Sequence, residues 1–146
     1  MTGLASGPDI LRITSALSEL SRLYPWFAEA AARHSLPSAL VQKMHVVLEE
    51  SVMNVAMHAY APGSQEEITI RLHAQTGMAE LVVEDHGPAF DPVAAPEKPR
   101  AESLLDAEIG GLGLRLVRRF CKDISYARVD GTNQLTLRFA YEPETA

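Results

Sequence analysis

The spacing of hydrophobic positions divides the chain into helix-like and strand-like segments. Apolar residues recur every three or four positions from about 16 to 34, where Ser15 is expected to cap the helix and Pro25 to kink or break it. A second helical pattern runs from about 38 to 59, and a short third one from about 114 to 121. Short apolar or alternating runs predict strands at 10–13, 68–74, 78–85, 124–129 and 134–139.

This order of elements predicts an α+β protein, built as a two-layer sandwich with helices on one face of a sheet. Thr76–Gly77 and residues 130–133 (DGTN) have turn composition, so each should join two strands in a hairpin. The 146 residues fit a single domain, 1–146, with a flexible tail at 1–8. Residues 91–109 hold three prolines and scattered charges and are expected to form a mobile lid.

Composition narrows the class of protein. The formal net charge of −6 argues against a direct nucleic-acid partner, while phosphates can still be bound by local donors and a metal. Cys121 is the only cysteine, which rules out an internal disulfide, favours a cytoplasmic location and predicts a small buried side chain. The first residues do not resemble a signal peptide, and no apolar run is long enough to span a membrane.

Glu50 and Asn54 form the most informative pair in the sequence. Their spacing of four residues places a carboxylate and a carboxamide on one face of an otherwise mostly apolar helix. A carboxylate can accept a proton, and an amide oxygen can hold a hard cation such as Mg²⁺. Glu49 competes for the proton-accepting role, although it lies about 100° around the helix from Glu50. The alternative for an isolated pair is a solvated helix face.

A second motif, residues 85–91 (DHGPAFD), leaves the end of a predicted strand. The Asp85 carboxylate could accept a hydrogen bond from the amino group of adenine, and Gly87 would let the base approach the backbone. Phe90 could pack near the base. The alternative is an ordinary β-turn, because Asp, Gly and Pro are common in turns.

A third motif, residues 110–114, places Gly110, Gly111, Leu112, Gly113 and Leu114 at the start of a predicted helix. Bare backbone N–H groups at a helix N-terminus can cradle phosphates. The alternative is a flexible hinge before the helix. The sequence contains no G-x-x-x-x-G-K-S/T run, and the glycines do not follow a strand with dinucleotide-binding spacing.

Taken together and in this order, the three motifs resemble those of the GHKL (Bergerat-fold) ATPases, and most closely the anti-sigma-factor serine/threonine-protein kinases. Residues 50–60 (ESVMNVAMHAY) resemble the N box, including its His-Ala-Tyr ending, and residues 85–91 resemble the G1 box. Residues 110–114 resemble the G2 box, and the likeness extends from about 10 to 139.

The resemblance implies a Bergerat, or histidine-kinase-like ATPase, fold: a mixed, mostly antiparallel sheet covered on one face by helices, with ATP between the helices and the lid. It implies that Glu50 is the general base, Asn54 the magnesium ligand and Asp85 the adenine-binding residue, and that Gly111 and Gly113 meet the phosphates. The nucleotide contacts expected on this basis are Asn54, Asp85, Gly87, Phe90, Gly110, Gly111, Leu112, Gly113 and Leu114.

The resemblance also implies partners. The usual partner is a STAS-domain anti-anti-sigma protein phosphorylated on a serine, and a sigma factor is held when that partner is phosphorylated. Homodimers are common in the family. The sequence departs from the pattern at Met53, where these kinases often have Thr, and Lys98 and Arg100 match no phosphate-contacting residue of the family.

Both departures concern phosphoryl transfer more than ATP binding, so a second function stays open. This is a non-catalytic ATP-binding regulatory module that sequesters its partner in a nucleotide-dependent way. The catalytic domain of a two-component histidine kinase is disfavoured, because no dimerisation helix with a phospho-accepting histidine precedes it. A structural protein with a vestigial site is the remaining alternative.

Overall fold

A computed structural model describes residues 9–59, 66–89 and 112–142 of the chain. The strands are β1 (Asp9–Thr14), β2 (Glu67–Gln75), β3 (Met78–Asp85), β4 (Asp123–Val129) and β5 (Thr132–Ala140). The helices are a 3₁₀ helix (Leu17–Arg22), α1 (Leu23–Arg33), α2 (Ser38–Asn54), which continues into a π-helical turn (Val55–Ala59), and α3 (Leu112–Phe120). Within these ranges, no helix is both long and apolar enough to cross a membrane.

The five strands form one sheet in the order β1-β2-β3-β5-β4, and every pairing between described strands is antiparallel. Two tight turns set the register of the hairpins. Gly77, between β2 and β3, has φ +83°, and Asp130 and Gly131, between β4 and β5, have φ of +51° and +78°. Two successive residues of positive φ are typical of a type I′ turn, whose twist matches that of paired strands.

Side chains on β3 alternate between a buried face and an outer face. Leu81, Val83 and Asp85 lie on the buried side, whereas the neighbouring Val82 and Glu84 lie on the half-exposed outer side. Helix α2 contributes the opposing half of the core, with Leu40, Met44, Val47, Leu48 and Val52 buried. The prediction of an α+β two-layer sandwich is confirmed. Because the register pairs Asp85 with Asn133, two polar residues end the buried face of the sheet.

Three local expectations were wrong in detail. Ser15 does not cap a helix, because its Oγ accepts a hydrogen bond from the Glu66 N–H at 3.0 Å and so extends the β1–β2 pairing. The break in the first helical segment comes at Leu23 rather than at Pro25, which lies in the first turn of α1, where a missing N–H costs little. The α-helical part of α2 ends at Asn54, and the last turn before residue 60 is π-helical.

The last hairpin turn is also shorter than predicted. Only Asp130 and Gly131 form the turn, and Thr132 and Asn133 already belong to β5. The flexible tail and the lid predicted at residues 1–8 and 91–109 lie outside the described residues.

Candidate active site

Asn54 lies on the buried stripe of α2, near the end of its α-helical part. Its side chain is only 7% exposed, and the helix positions one and two turns before it, Ser51 and Val47, are buried as well. Its carboxamide oxygen Oδ1 is buried and has no hydrogen-bond partner among the residues that the structure describes. A buried oxygen left in this way costs about 1–3 kcal/mol. Such an oxygen is suited to coordinate a bound cation or to accept a hydrogen bond from a ligand.

The chemistry of Asn54 fits a hard cation. Amide oxygens are good ligands for Mg²⁺, which keeps several waters and takes the rest of its ligands from carboxylates and phosphate oxygens. The described residues contain no group of three or more His, Cys, Asp or Glu that could hold a metal by themselves. A cation bound at Asn54 would therefore depend on phosphate oxygens and water to complete its coordination shell.

Glu50 lies one helical turn before Asn54, about 40° around the helix axis from it. Its side chain is half-buried. The competing Glu49 is 57% exposed, and its Oε2 lies 3.6 Å from His45 Nε2. The structure thus gives the two glutamates different environments: Glu49 faces a histidine on the same helix, and Glu50 shares the side of α2 that carries Asn54.

Asp85 ends β3 on the buried face of the sheet and is 4% exposed. Its Oδ1 accepts a hydrogen bond from the backbone N–H of Gly87 at 2.8 Å and another from Asn133 Nδ2 at 3.1 Å. The first of these bonds closes an Asx turn, in which the side chain takes the place of a backbone acceptor. The carboxylate predicted to bind adenine is therefore buried and held in a fixed orientation.

Asn133 is the polar residue of this site that sequence reasoning missed. It was assigned to a turn, but it lies in β5, is 5% exposed and donates to the Pro88 carbonyl oxygen at 3.0 Å as well as to Asp85. Its Oδ1 accepts from Arg128 Nη1 at 2.9 Å and from the Tyr126 hydroxyl. A two-residue turn at Asp130–Gly131 would have predicted that Asn133 lies in β5 and pairs with Arg128 of β4.

The described part of α3 begins at Leu112, and Leu112, Gly113 and Leu114 are its first residues. The first backbone N–H groups of a helix have no partner within the helix and carry the positive end of its dipole. Phe90, Gly110 and Gly111, also predicted to contact the nucleotide, lie outside the described residues. The part of the third motif that is described is thus helical rather than a hinge.

Helices α2 and α3 pack against each other. Lys43, near the start of α2, lies with its Nζ 5.9 Å from the ring centroid of Phe120, the last residue of α3. The beginning of α2 therefore lies close to the end of α3.

Cys121 is buried, as expected. Burial, assisted by the negative charge of Asp123, raises the pKa of its thiol to about 12. A thiol with so little thiolate at neutral pH is a poor nucleophile, so Cys121 is a packing residue rather than a reactive one.

Comparison with known proteins is consistent with this geometry. The family described as "Histidine kinase-like ATPase domain" matches residues 13–139, nearly the whole chain. The chain belongs to this family. Membership confirms the family predicted from the three motifs and supports the prediction of ATP as the nucleotide.

Two curated relatives of this histidine kinase-like ATPase are protein kinases. It is 33% identical over 142 residues to the serine/threonine-protein kinase BtrW of Bordetella bronchiseptica, covering 97% of this chain and 100% of that protein. It is 26% identical over 118 residues to the serine-protein kinase RsbW of Listeria innocua, covering 78% of this chain and 75% of that protein. These relatives confirm the predicted enzyme class, protein serine/threonine kinase.

Solved structures confirm the fold. The structure of the RsbU and RsbW domains of a Mycobacterium tuberculosis protein superposes with a TM-score of 0.62 at 15% identity, covering 90% of this ATPase-family chain. The chain spans about a third of the length of that protein, 32%. The histidine kinase domain of a blue-light activated kinase from Erythrobacter litoralis superposes with a TM-score of 0.53 at 14% identity, covering 84% of this chain and 59% of that one.

Proposed function

We propose that the chain is an ATP-dependent serine kinase and anti-sigma factor that binds and phosphorylates a STAS-type anti-anti-sigma protein in the cytoplasm. One observation carries the proposal. A buried amide oxygen without a partner among the described residues, Asn54 Oδ1, lies one helical turn from Glu50 in a chain 33% identical to a serine/threonine-protein kinase.

ATP would be held at its adenine end and at its phosphate end by different parts of the site. Asp85, fixed by Gly87 and Asn133, would accept a hydrogen bond from the adenine amino group. The N-terminal turn of α3, from Leu112 to Leu114, would donate backbone hydrogen bonds to the phosphates. Mg²⁺ would be held through Asn54 Oδ1, and when bound it would neutralise part of the phosphate charge.

Glu50 would act on the proton of the attacking hydroxyl. As a serine oxygen of the partner protein bonds to the γ-phosphorus of ATP, the bond to the β–γ bridging oxygen breaks and ADP leaves. The serine loses its proton in this step, and the Glu50 carboxylate would accept it. The half-buried position of Glu50, on the same side of α2 as Asn54, supports this role over Glu49, which is exposed and faces His45.

The proposed partner rests on the resemblance of the three motifs to those of the anti-sigma-factor kinases, and the kinase relatives support it. The chain would phosphorylate a STAS protein on a serine, after which it would hold a sigma factor instead. A homodimer would agree with the dimers that are common among the anti-sigma-factor kinases.

The test is transfer of label from γ-labelled ATP to a purified STAS protein encoded beside the gene. We expect label on the STAS protein in the presence of Mg²⁺ and none on a variant whose candidate serines are changed to alanine. ATP-dependent retention of the STAS protein without label would instead show the non-catalytic binding module. Absence of both binding and label would refute the proposed partner class.

A further inference from the structure

We propose that Asn133, oriented by Tyr126 and Arg128, is a positioning residue that lets the Asp85 carboxylate select adenine over 6-oxopurines. The inference rests on the proposed ATP site and adds to it a determinant of base specificity. Asn133 acts through Asp85, so no contact between Asn133 and the base is needed.

Among the described residues, the amide nitrogen of Asn133 faces only acceptors. Asn133 Nδ2 lies 3.1 Å from Asp85 Oδ1, 3.3 Å from the Gly87 carbonyl oxygen and 3.0 Å from the Pro88 carbonyl oxygen. One buried amide group therefore ties the carboxylate and the following turn to β5. Any shift of Asp85 relative to the backbone of residues 87–88 would strain this set of bonds.

Within the part of the chain that the structure describes, the amide oxygen of Asn133 faces only donors. Arg128 Nη1 donates to it at 2.9 Å, and the Tyr126 hydroxyl donates to it as well. Arg128 Nη1 also donates to the Gly87 carbonyl oxygen at 3.0 Å. If the amide were turned over, its nitrogen would face the Arg128 donor and its oxygen would face the Asp85 carboxylate, and both contacts would be repulsive. Strand β4 therefore fixes which end of the amide meets Asp85.

This orientation has a consequence for the purine. Hydrogen bonds from Gly87 and Asn133 to the same oxygen, Oδ1, set the rotation of the Asp85 carboxylate, which as an ionised group can only accept further hydrogen bonds. The 6-amino group of adenine is a donor and suits such a carboxylate. The 6-oxo group of hypoxanthine is an acceptor and is rejected, most strongly when the carboxylate cannot turn away.

The neighbouring position of the same strand pair offers a matched control. Gln134 Nε2 donates to Glu84 Oε2 at 3.0 Å, which is again a carboxamide bonded to a carboxylate across β3 and β5. Successive residues of a strand point to opposite faces, so this pair lies on the outer face of the sheet. Removing it perturbs the same strands without touching Asp85.

The experiment compares the affinities of ATP and ITP by calorimetry in the wild type, Asn133→Ala and Gln134→Ala. We expect Asn133→Ala to lower the preference for ATP over ITP by about fivefold, the factor typical of one lost hydrogen bond. Gln134→Ala should keep the wild-type preference. An unchanged preference in Asn133→Ala, or an equal loss in Gln134→Ala, would overturn the inference. A wild type that binds neither nucleotide would refute the ATP site itself.

A second measurement needs no nucleotide. Hydrogen exchange at the Gly87 amide of the ligand-free protein should be about tenfold faster in Asn133→Ala and unchanged in Gln134→Ala, because only the former frees the Asx turn. Should Asn133→Ala fail to fold, Tyr126→Phe serves in both assays. It keeps the ring and removes one donor, so we expect about a twofold loss of preference. Wild-type values in Tyr126→Phe would then count against the role of β4.

Discussion

The buried oxygen of Asn54, which has no hydrogen-bond partner among the described residues, leads to a stability prediction that differs from the usual effect of altering a buried residue. Leucine has the same branch at Cγ and the same number of side-chain heavy atoms as asparagine. In Asn54→Leu the buried, unsatisfied Oδ1 is removed, which should relieve about 1–3 kcal/mol. The better helix propensity of leucine adds about 0.5 kcal/mol. Some packing strain, about 1 kcal/mol, opposes both terms.

The expected net gain is about 0.5–2.5 kcal/mol. For a domain of this size, 1 kcal/mol corresponds to about 3 °C, so the nucleotide-free variant should melt about 2–7 °C above the wild type. The same substitution should abolish the further rise in Tm that Mg-ATP gives the wild type, because the proposed magnesium ligand is gone. Both quantities can be measured by differential scanning calorimetry, with and without Mg²⁺ and ATP.

Asn133 supplies the matched control for this experiment. It is also a buried asparagine, at 5% exposure, but both ends of its amide are hydrogen-bonded. In Asn133→Leu, buried partners that include the Asp85 carboxylate lose their bonds, so the ligand-free protein should lose about 2–4 kcal/mol. A ligand-free Asn54→Leu protein that melts below the wild type would refute the reasoning, since Asn54 would then be a structural residue rather than one poised for a ligand.

Four further outcomes test the site and the fold. Asp85→Asn should remove detectable ATP binding in calorimetry, and an unchanged affinity would remove the adenine assignment. Glu50→Gln should keep ATP affinity but slow phosphoryl transfer by roughly 10²–10⁴-fold, as expected for a general base. The Cys121 thiol, with its pKa raised to about 12 by burial, should resist iodoacetamide at pH 8 in the folded protein and react in urea. Burial alone would raise the pKa of Asp9, but hydrogen bonds and charge from Arg33 and His34 lower the pKa of this carboxyl from its ordinary value. Asp9→Asn should therefore cost about 1 kcal/mol at pH 7, and this difference should fade as the pH falls through the lowered pKa of Asp9.

The tests of Glu50 and Asp9 each have a control in the chain. Glu49→Gln, on an exposed residue of the same helix, should keep the wild-type transfer rate, and loss of transfer there would move the role of base from Glu50 to Glu49. For the acid-stability measurement, Glu29→Gln removes the other carboxylate that pairs with Arg33. Because that glutamate is 77% exposed, its removal should change stability little at any pH. An equal loss in both variants would exclude a specific role for Asp9.

Much of the fold could be predicted because its elements are amphipathic. Strand β2 alternates apolar and polar residues from Ile68 to His73, and α2 repeats its apolar positions with helical spacing, so both were predicted at nearly correct bounds. The errors came from long-range effects. Ser15 has the side chain of a helix cap, but its Oγ bonds to Glu66, a residue 51 positions away. No local sequence pattern predicts a hydrogen-bond partner so distant in the chain.

The candidate site was predicted unevenly for the same reason. Three polar site residues could be predicted because the local pattern marks them. Glu50 and Asn54 interrupt a mostly apolar helix at helical spacing, and Asp85 lies at the end of a predicted strand. Asn133 was hidden in a run of turn-forming residues, because Asp, Gly, Thr and Asn all suit turns. Its role depends on a register that begins immediately after Gly131, whose φ is +78°. The sequence shows that a turn lies at residues 130–133, whereas the number of residues in the turn can be read only from the backbone structure.

The π-helical turn at Val55–Ala59 has a consequence for how this protein can diverge. A π turn holds one residue more than an α turn, and such turns behave as single-residue insertions into a helix. Deleting one residue there would restore ordinary α-helical winding and leave the flanking residues in nearly the same phase, because four residues of α-helix and five of π-helix each turn through roughly 400°. Because the insertion begins directly after Asn54, this change would leave the side of α2 that carries Glu50 and Asn54 in place. The end of this helix can thus gain or lose one residue during evolution without moving the candidate site.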